Sequence, residues 1–327
     1  KVYTTNEFSD FGFNVNTLKE ILVHYPDQPN KEAMSKVALA NLVDDFNQKV
    51  STVKERIDKS KATRLLASLR EVKQPEELVL LKKAITITAD GFTEMLKAMK
   101  PGMAEYQAQA IVEYFVKNNG GEYQGYPSIC GAARNSCVLH YDDNRKVVND
   151  GEILLTDIGG EYHGYTADIT RTFPINGKFT AEQKQIYNLV LEAQTAGIKV
   201  CKAGADFRAT HKATMEVVAE GLLKLGIIST KDDASTYFMH GTSHYLGLDV
   251  HDAGTYGPLK VGTVITVEPG IYIPAGAKCD PKWWNIGVRI EDDILVTDGE
   301  PVNLSGNIPR EAEAIEKLMA KDSFLNH

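Results

Sequence analysis

Four carboxylates stand out by where they fall. Asp157 closes the apolar run Ile153-Leu154-Leu155-Thr156, Asp168 sits inside Tyr165-Thr166-Ala167-Asp168-Ile169-Thr170, Glu268 follows Val264-Ile265-Thr266-Val267, and Glu291 follows Gly287-Val288-Arg289-Ile290. Each lies at or beside a segment that reads as a buried strand, where an unpaired carboxylate is costly. Any one of them could be half of a buried salt bridge or a strand-end turn. Together they ask for a shared explanation, because the chain offers few bases near them. Converging carboxylates repel, and divalent cations are the usual remedy. Two such ions would neutralise four carboxylates and could hold a hydroxide between them.

Histidine supplies the second signal. His240-Gly241-Thr242-Ser243-His244 and Val250-His251-Asp252 put three of the eight histidines within twelve residues, and Gly241 and Gly247 permit close backbone approach. One imidazole among oxygen ligands suits Mn2+, Co2+ or Fe2+ better than a structural Zn2+ site, which draws on Cys. The spare histidines are left for proton transfer or substrate contact, since His alone titrates near neutral pH unperturbed. His163 lies between the two aspartates, but the Gly-flanked turn Glu161-Tyr162-His163-Gly164 marks it as an exposed turn residue. His211, on a helix, reads as a surface residue, and His24 and His327 lie outside the region of the motifs. Cys130 and Cys137 read as buried thiols rather than nucleophiles, and Trp283-Trp284 as loop packing or a binding platform.

The elements that must position these groups are punctuated clearly from residue 72 onward. Pro75 followed by Glu76 and Glu77 opens a helix, because Pro suits the first turn and acids suit its positive end. Leu78, Leu81, Ile85, Phe92, Leu96 and Met99 continue it at amphipathic spacing until Pro101-Gly102. A second helix is expected over 105–118, ending at Gly120-Gly121. Strand-like segments follow near 126–130, 136–140, 152–158 and 165–173. Thr180 with Gln183 is a capping box opening a helix to about 200, and another helix is expected over 206–225. The region 237–297 returns to strand character, clearest at Val264–Val267 and Val288–Ile290, and a last helix spans 310–320. Upstream, Phe11-Gly12-Phe13 and Ile21-Leu22-Val23 are broken by Pro26 and Pro29, and 31–64 reads as one long helix or two short ones linking domains. Helices and strands come in blocks rather than strict alternation, so the expected class is α+β with an antiparallel or mixed sheet. Neither GxGxxG nor GxxxxGK[ST] occurs, which removes the usual dinucleotide and nucleotide loops.

Composition narrows the functional classes. The 327 residues are 43% hydrophobic and 24% charged, ordinary for a globular chain. Thirty-six Lys and Arg against 44 Asp and Glu leave a net charge of −8, which argues against nucleic acid as the main partner. No run of about 18 apolar residues suggests a membrane span. Four cysteines without CxxC spacing read as reduced thiols of a cytoplasmic protein. The sequence opens at Lys1 without an initiator Met or signal-peptide pattern, as a piece of a longer chain would.

These residues carry a resemblance. Asp157, Asp168, His244, Glu268 and Glu291 resemble the five-ligand set of the pita-bread dinuclear metallopeptidases. The stretch HGTSHYLGLDVHD (240–252) is similar to the proline-peptidase signature of that family. TDIGGEYHGYTADITRTFP (156–174), TVEPGIY (266–272) and GVRIEDD (287–293) resemble its Xaa-Pro aminopeptidase branch. The resemblance covers roughly 70–320. It implies a pita-bread (creatinase/aminopeptidase-like) catalytic domain over 71–327, with a curved, mostly antiparallel sheet covered by helices, preceded by a remnant of an N-terminal domain and linker helix over 1–70.

By the same resemblance, Asp157 would bind one of two divalent ions, most plausibly Mn2+ (with Co2+, Zn2+ or Fe2+ as substitutes), through both oxygens. Asp168 and Glu291 would bridge the ions, and His244 and Glu268 would complete the second site. A metal-bridging hydroxide would be the nucleophile. Glu268 would also take and return the proton, His251 would contact the scissile amide or tetrahedral intermediate, and His240 and His140 would line the cleft. Arg289 would orient Asp157 and contact Tyr272, and His240 and Tyr272 would wall a proline pocket. The implied activity is release of the N-terminal residue from peptides with proline at position two, by a homo-oligomer (dimer or tetramer).

Three alternatives share the architecture. Prolidases resembling this family add an Arg in a longer loop to hold the dipeptide's carboxylate, whereas 274–286 is short here and contains Lys278 and Lys282 but no Arg. Methionine aminopeptidases share the ligand order but not the 240–252 signature. Non-catalytic binding modules on this fold lose ligands, whereas all five are kept here. One departure remains: aminopeptidases P carry a substantial N-terminal domain, of which only the last part is present.

Overall fold

The structure, a computed structural model, describes residues 17–22, 48 and 51–324. Phe11-Gly12-Phe13, Pro26, Pro29 and most of 31–50 lie outside the described residues. The chain divides into two compact units, Lys1–Leu69 and Arg70–His327.

In the first unit a short strand, β1 (Ile21–Leu22), pairs in parallel with β2 (Ile57–Asp58). The helix expected through 64, as one long element or two short ones, is interrupted over the described residues 51–58. Residues Ser51–Arg56 are 3-10 helix interrupted at Val53 (φ −131°, ψ 28°), and α1 starts only at Lys59 and runs to Glu71. Asp58 fixes that start, accepting the Lys61 N–H at 2.7 Å. Val53 and Ile21 are buried together, so the β-branched residues trade helix for packing.

The second unit begins with two antiparallel-sequence helices, α2 (Pro75–Ala98) and α3 (Glu105–Asn118). Pro75 occupies the first turn of α2, and the Glu77 carboxylate accepts the Gln74 N–H at 2.7 Å. Leu81, Ile85, Phe92 and Leu96 form its buried face. Gly91 lets α3 approach, since a Cβ there would lie 3.0 Å from the Val112 Cα.

Short strands follow: β3 (Tyr123–Gln124), β4 (Ile129–Ala132), β5 (Ile153–Ile158), β6 (Gly160–Tyr162), β7 (Tyr165–Thr166) and β8 (Ile169–Pro174). Then come α4 (Ala181–Lys199), α5 (Ala209–Lys224), β9 (Val264–Val267), β10 (Gly270–Ile273), β11 (Ile286–Arg289), β12 (Asp292–Leu295), β13 (Val302–Asn303) and α6 (Ala312–Met319). Thr180 caps α4 as expected, with its Oγ1 accepting the Gln183 N–H at 3.2 Å. The strand expected at 136–140 is absent. Ala133–Cys137 is a 3-10 turn entered through Ala133 at φ +49°, a left-handed backbone that ends β4.

All strand pairing in this unit is antiparallel, in the orders β4-β5-β8, β3-β6-β7, β13-β12-β9 and β10-β11. β5 and β8 are buried at every position, so helices must cover them. Among the described residues no helix is long and apolar enough to cross a membrane.

Candidate metal centre

Strand register assembles the site. Asp157 pairs with Thr170 across β5 and β8, so Asp168, two residues earlier, lies on the same face diagonal to it. Asp292 pairs with Val267 across β12 and β9, and one further step in that register sets Glu291 opposite Glu268. The halves are joined where the Glu291 N–H donates to the Thr170 carbonyl at 3.1 Å. His244 comes alongside β9, exchanging bonds with Thr266: the Thr266 N–H donates to the His244 carbonyl at 3.0 Å, and the His244 N–H to Thr266 Oγ1 at 3.2 Å. Side chains repeat every two residues along a strand, so His244, beside Thr266, faces the way Glu268 does.

The five carboxylate and imidazole groups line one cavity of about 470 Å³, together with His140, His240, His251 and Arg289. One ligating atom each from Asp168, His244 and Glu291 lie within 4.8 Å of one another. His244 Nε2 is 3.2 Å from Asp168 Oδ2 and 3.7 Å from Glu268 Oε1. His244 Nδ1 is 3.0 Å from the Tyr245 carbonyl, so Nδ1 carries a proton and Nε2 is the nitrogen turned toward the carboxylates.

Electrostatics show how poorly this cluster is compensated without cations. Burial raises Glu291 well above the carboxylate range, and the charges of Asp168, Glu268 and Asp157 add to it. Asp168 is raised by burial and by Asp157. Burial pushes Glu268 up to about 7 despite His244 and Arg289. Burial would lower His244, but Asp168 and Glu268 lift it to about 9. The donor set, four carboxylates with one imidazole presenting Nε2, fits two divalent ions of the Mn2+ type.

Arg289 is the cation built into this cluster. Its Nη2 donates to Asp157 Oδ2 at 2.7 Å, its Nη1 to the Tyr272 hydroxyl at 2.9 Å and its Nε to Thr170 Oγ1 at 3.2 Å. Thr170 in turn donates to Glu291 Oε2 at 2.7 Å. Gly270 opposes Arg289 across β10 and β11, which puts Tyr272 on the diagonal. Tyr272 is fully buried and reaches the site through its hydroxyl, 2.8 Å from His240 Nε2 and bonded to Arg289. His240 donates Nδ1 to the Gly241 carbonyl at 2.7 Å, and burial, followed by Arg289, lowers it to about 4, so it stays neutral. His140 and His251 are exposed at the cavity wall.

His163 sits in an exposed turn at φ +50° and pairs with Glu122 at 2.7 Å, away from the cavity. His211 is not a surface residue: it is half-buried, 3.1 Å from Thr242 Oγ1 and packed on Phe238. Burial raises the Cys130 thiol well above its ordinary range and pushes Cys137 up to about 11, in keeping with inert thiols. Trp283 is buried and Trp284 donates to the Ala277 carbonyl at 3.1 Å, which makes the pair a packing element.

Two groups were invisible from the sequence. The Tyr126 hydroxyl stands 2.6 Å from both Asp157 Oδ1 and Asp168 Oδ1. Tyr126 belongs to no motif, and only Pro127 after it hints at a fixed extended backbone. Glu105 is the second. Fully buried on α3, it accepts from the Ala132 N–H (2.7 Å), Asn135 Nδ2 (3.0 Å), the Tyr141 hydroxyl (2.8 Å) and the Lys146 N–H (2.8 Å). It thereby ties both ends of the segment that carries His140. Its place in a first helical turn disguised it as a dipole partner.

Comparison with known proteins agrees with this geometry. A model of metallopeptidase family M24 matches residues 79–298. The Xaa-Pro aminopeptidase of Escherichia coli (strain K12) is 40% identical over 263 residues, covering 77% of this chain and 60% of that protein. The mitochondrial intermediate cleaving peptidase 55 of Arabidopsis thaliana is 33% identical over 317 residues, covering 95% and 64%. Among solved structures, Escherichia coli aminopeptidase P with the inhibitor Pro-Leu superposes with a TM-score of 0.83 at 33% identity, covering 96% of this chain and 74% of that one. The chain spans about three fifths of the length of the curated relatives it matches.

Proposed function

The chain belongs to metallopeptidase family M24 and has its pita-bread fold, and from that premise we propose that it is a metal-dependent aminopeptidase that releases the first residue of peptides with proline second. The observation that supports it most is the convergence of Asp157, Asp168, His244, Glu268 and Glu291 in one cavity with His140, His240 and His251 at its wall. These five would hold two divalent ions, and the oxygen-rich set favours Mn2+. When bound, the ions supply a water acidified to neutral pH and an electrophile for the scissile carbonyl.

The protein's own groups do the rest. Glu268 accepts a proton and returns it to the leaving nitrogen. That nitrogen is proline's, which carries no hydrogen in the peptide, so cleavage requires proton delivery there. Arg289 fixes the orientation of Asp157, and neutral His240, held by Tyr272, offers a cleft wall without a competing charge. His251 and His140 stand where the substrate backbone would lie.

A tripeptide or longer is favoured over the Xaa-Pro dipeptide. Among the described residues Arg289 is the sole Lys or Arg lining the cavity, and it is buried and committed to Asp157 and Tyr272. Nothing cationic is left there to receive a free carboxylate on proline. The four unpaired cysteines fit a reducing compartment, and we assign the reaction to the cytoplasm.

The test is cleavage of Xaa-Pro-Yaa, Xaa-Pro and Xaa-Ala-Yaa by metal-stripped protein with and without Mn2+. Metal-dependent cleavage of the first alone is expected. Preference for the dipeptide would make the protein a prolidase, and failure to bind metal or cleave any of the three would refute the peptidase reading.

A further inference from the structure

The His251 ring takes no hydrogen bond among the described residues, and it meets the His244 ring edge-on at 4.3 Å between centroids. Its position is therefore set by the backbone beneath it. Tyr245 and Asp252 form an isolated antiparallel bridge, in which the Asp252 N–H donates to the Tyr245 carbonyl at 2.9 Å. His244 and His251 each precede one member of that bridge, so closing it brings the two imidazoles together. The turn between them is tied by the Gly247 N–H to the Asp249 carbonyl (3.2 Å) and by the Thr166 N–H to the Gly247 carbonyl (3.0 Å).

The Asp252 carboxylate anchors this closure from behind the site. Its side chain is 1% exposed, as is that of Lys73, whose Nζ lies 3.3 Å from Asp252 Oδ2. Arg70 pairs with Asp252 Oδ1 and reaches Asp249 Oδ2 at 2.6 Å, while the Ala253 N–H donates to Asp252 Oδ1 at 2.9 Å. Lys73 is itself fixed by its N–H bond to the Gly262 carbonyl at 2.9 Å. Gly247 makes room for the pair: a Cβ there would lie 2.2 Å from Asp252 Oδ2 and 2.9 Å from the Lys73 Cε. Two acids meet two bases, so the cluster is neutral. A buried ion pair of this kind adds little to stability, and its use lies in choosing one arrangement over its neighbours.

We propose that Asp252, locked between Lys73 and Arg70, is the positioning residue that sets His251 against the substrate. This rests on reading the cavity as a peptidase site. Asp252 touches neither substrate nor ion, and it acts by holding the bridge that aims His251.

The experiment is a double-mutant cycle of Asp252→Asn with His251→Ala on Mn2+-loaded protein. Turnover of an Xaa-Pro-Yaa peptide is read alongside metal content and amide exchange. Asp252→Asn is expected to lower kcat about tenfold with KM within about twofold in the parent, and to change kcat less than about twofold once His251 is gone. Metal content stays at the parental level, and the Asp252 amide exchanges faster while α3 and α4 do not. Equal losses in both backgrounds, loss of Mn2+, or unchanged exchange would each overturn the proposal. If Asp252→Asn fails to fold, the milder Arg70→Met goes through the same cycle and is judged by the same criterion, with about a threefold effect expected. A parent protein that cleaves no peptide refutes the peptidase reading separately; amide exchange then still decides whether the Asp252 lock orders the segment bearing His251.

Discussion

Replacing Glu291 by Gln should move stability in opposite directions with and without metal. Glu291 is buried among Asp157, Asp168 and Glu268, and those charges raise its proton affinity. Its ligating oxygen lies within 4.8 Å of those of Asp168 and His244. Two unit charges at that distance repel by about 3–4 kcal/mol at an effective dielectric of about 20. Partial protonation relieves part of this, so Gln should stabilise the chelator-treated protein by about 1–3 kcal/mol near pH 8. The Gln oxygen can still accept from Thr170, whose bond to Glu291 Oε2 is 2.7 Å. At about 2–4 °C per kcal/mol for a unit of this size, Tm rises by about 2–12 °C. The gain shrinks toward pH 5, where the wild-type acid is protonated. With Mn2+ at about a hundredfold over Kd at each of two sites, the wild type gains about 5 kcal/mol that the variant does not share, which exceeds the variant's advantage in chelator, so the order inverts. Calorimetry in EDTA and in excess Mn2+, with metal content measured in parallel, decides the matter. A variant that melts below the wild type in EDTA would show that Glu291 is a paired structural acid and would refute the repulsion argument.

Other outcomes follow from the same geometry. The metal-free protein should lose stability as pH rises from about 7 to 9. Glu268 goes from 4.5 to about 7 and His244 from 6.5 to about 9, so these two groups hold more protons in the native state than in the unfolded chain, while His240, lowered to about 4, opposes them only below its ordinary 6.5. Melting in chelator should therefore fall between about pH 7 and 9, and a rise across that range would contradict the shifts. His163→Ala should keep metal and turnover and change stability by no more than about 0.5 kcal/mol, since its partner Glu122 is exposed; metal loss there would overturn the ligand set. Glu105→Gln exchanges an oxygen that accepts two bonds for a donor, at about 1–3 kcal/mol per lost bond, so Tm should drop by several degrees with a raised KM through the His140 segment. An unchanged melt would remove Glu105 from that role.

The helices were legible where packing and local signals agree. Pro75 and the Thr180–Gln183 box mark starts that the structure repeats at α2 and α4. Residues 51–58 misled because Val53 and Ile57 answer to a small tertiary cluster rather than to helix propensity. The segment 136–140 misled because its apolar residues serve a 3-10 turn gathered by Glu105, a contact from an element about 30 residues earlier. The carboxylates could be found because acids at the ends of buried strands violate burial rules in plain view. Tyr126 and the Lys73–Asp252 pair could not. A tyrosine beside a strand and a lysine before a helix break no rule until the fold brings acids to them.

The proposed ligands lie far apart along the chain, and this bears on the order of events in folding. Asp157 and Asp168 meet Glu291 only when β8 docks beside β12, and the Thr170–Glu291 contact spans 121 residues. Contacts of such separation form late, because loop closure must be completed before they return any energy. A divalent ion therefore has no assembled site to bind while the folding nucleus forms. An ion held by these five residues is expected to leave the refolding rate untouched and to slow unfolding. Refolding and unfolding rates measured with and without Mn2+ check this, and a faster refolding with Mn2+ would contradict it; on this reading the ion lengthens the lifetime of the finished protein without hastening its birth.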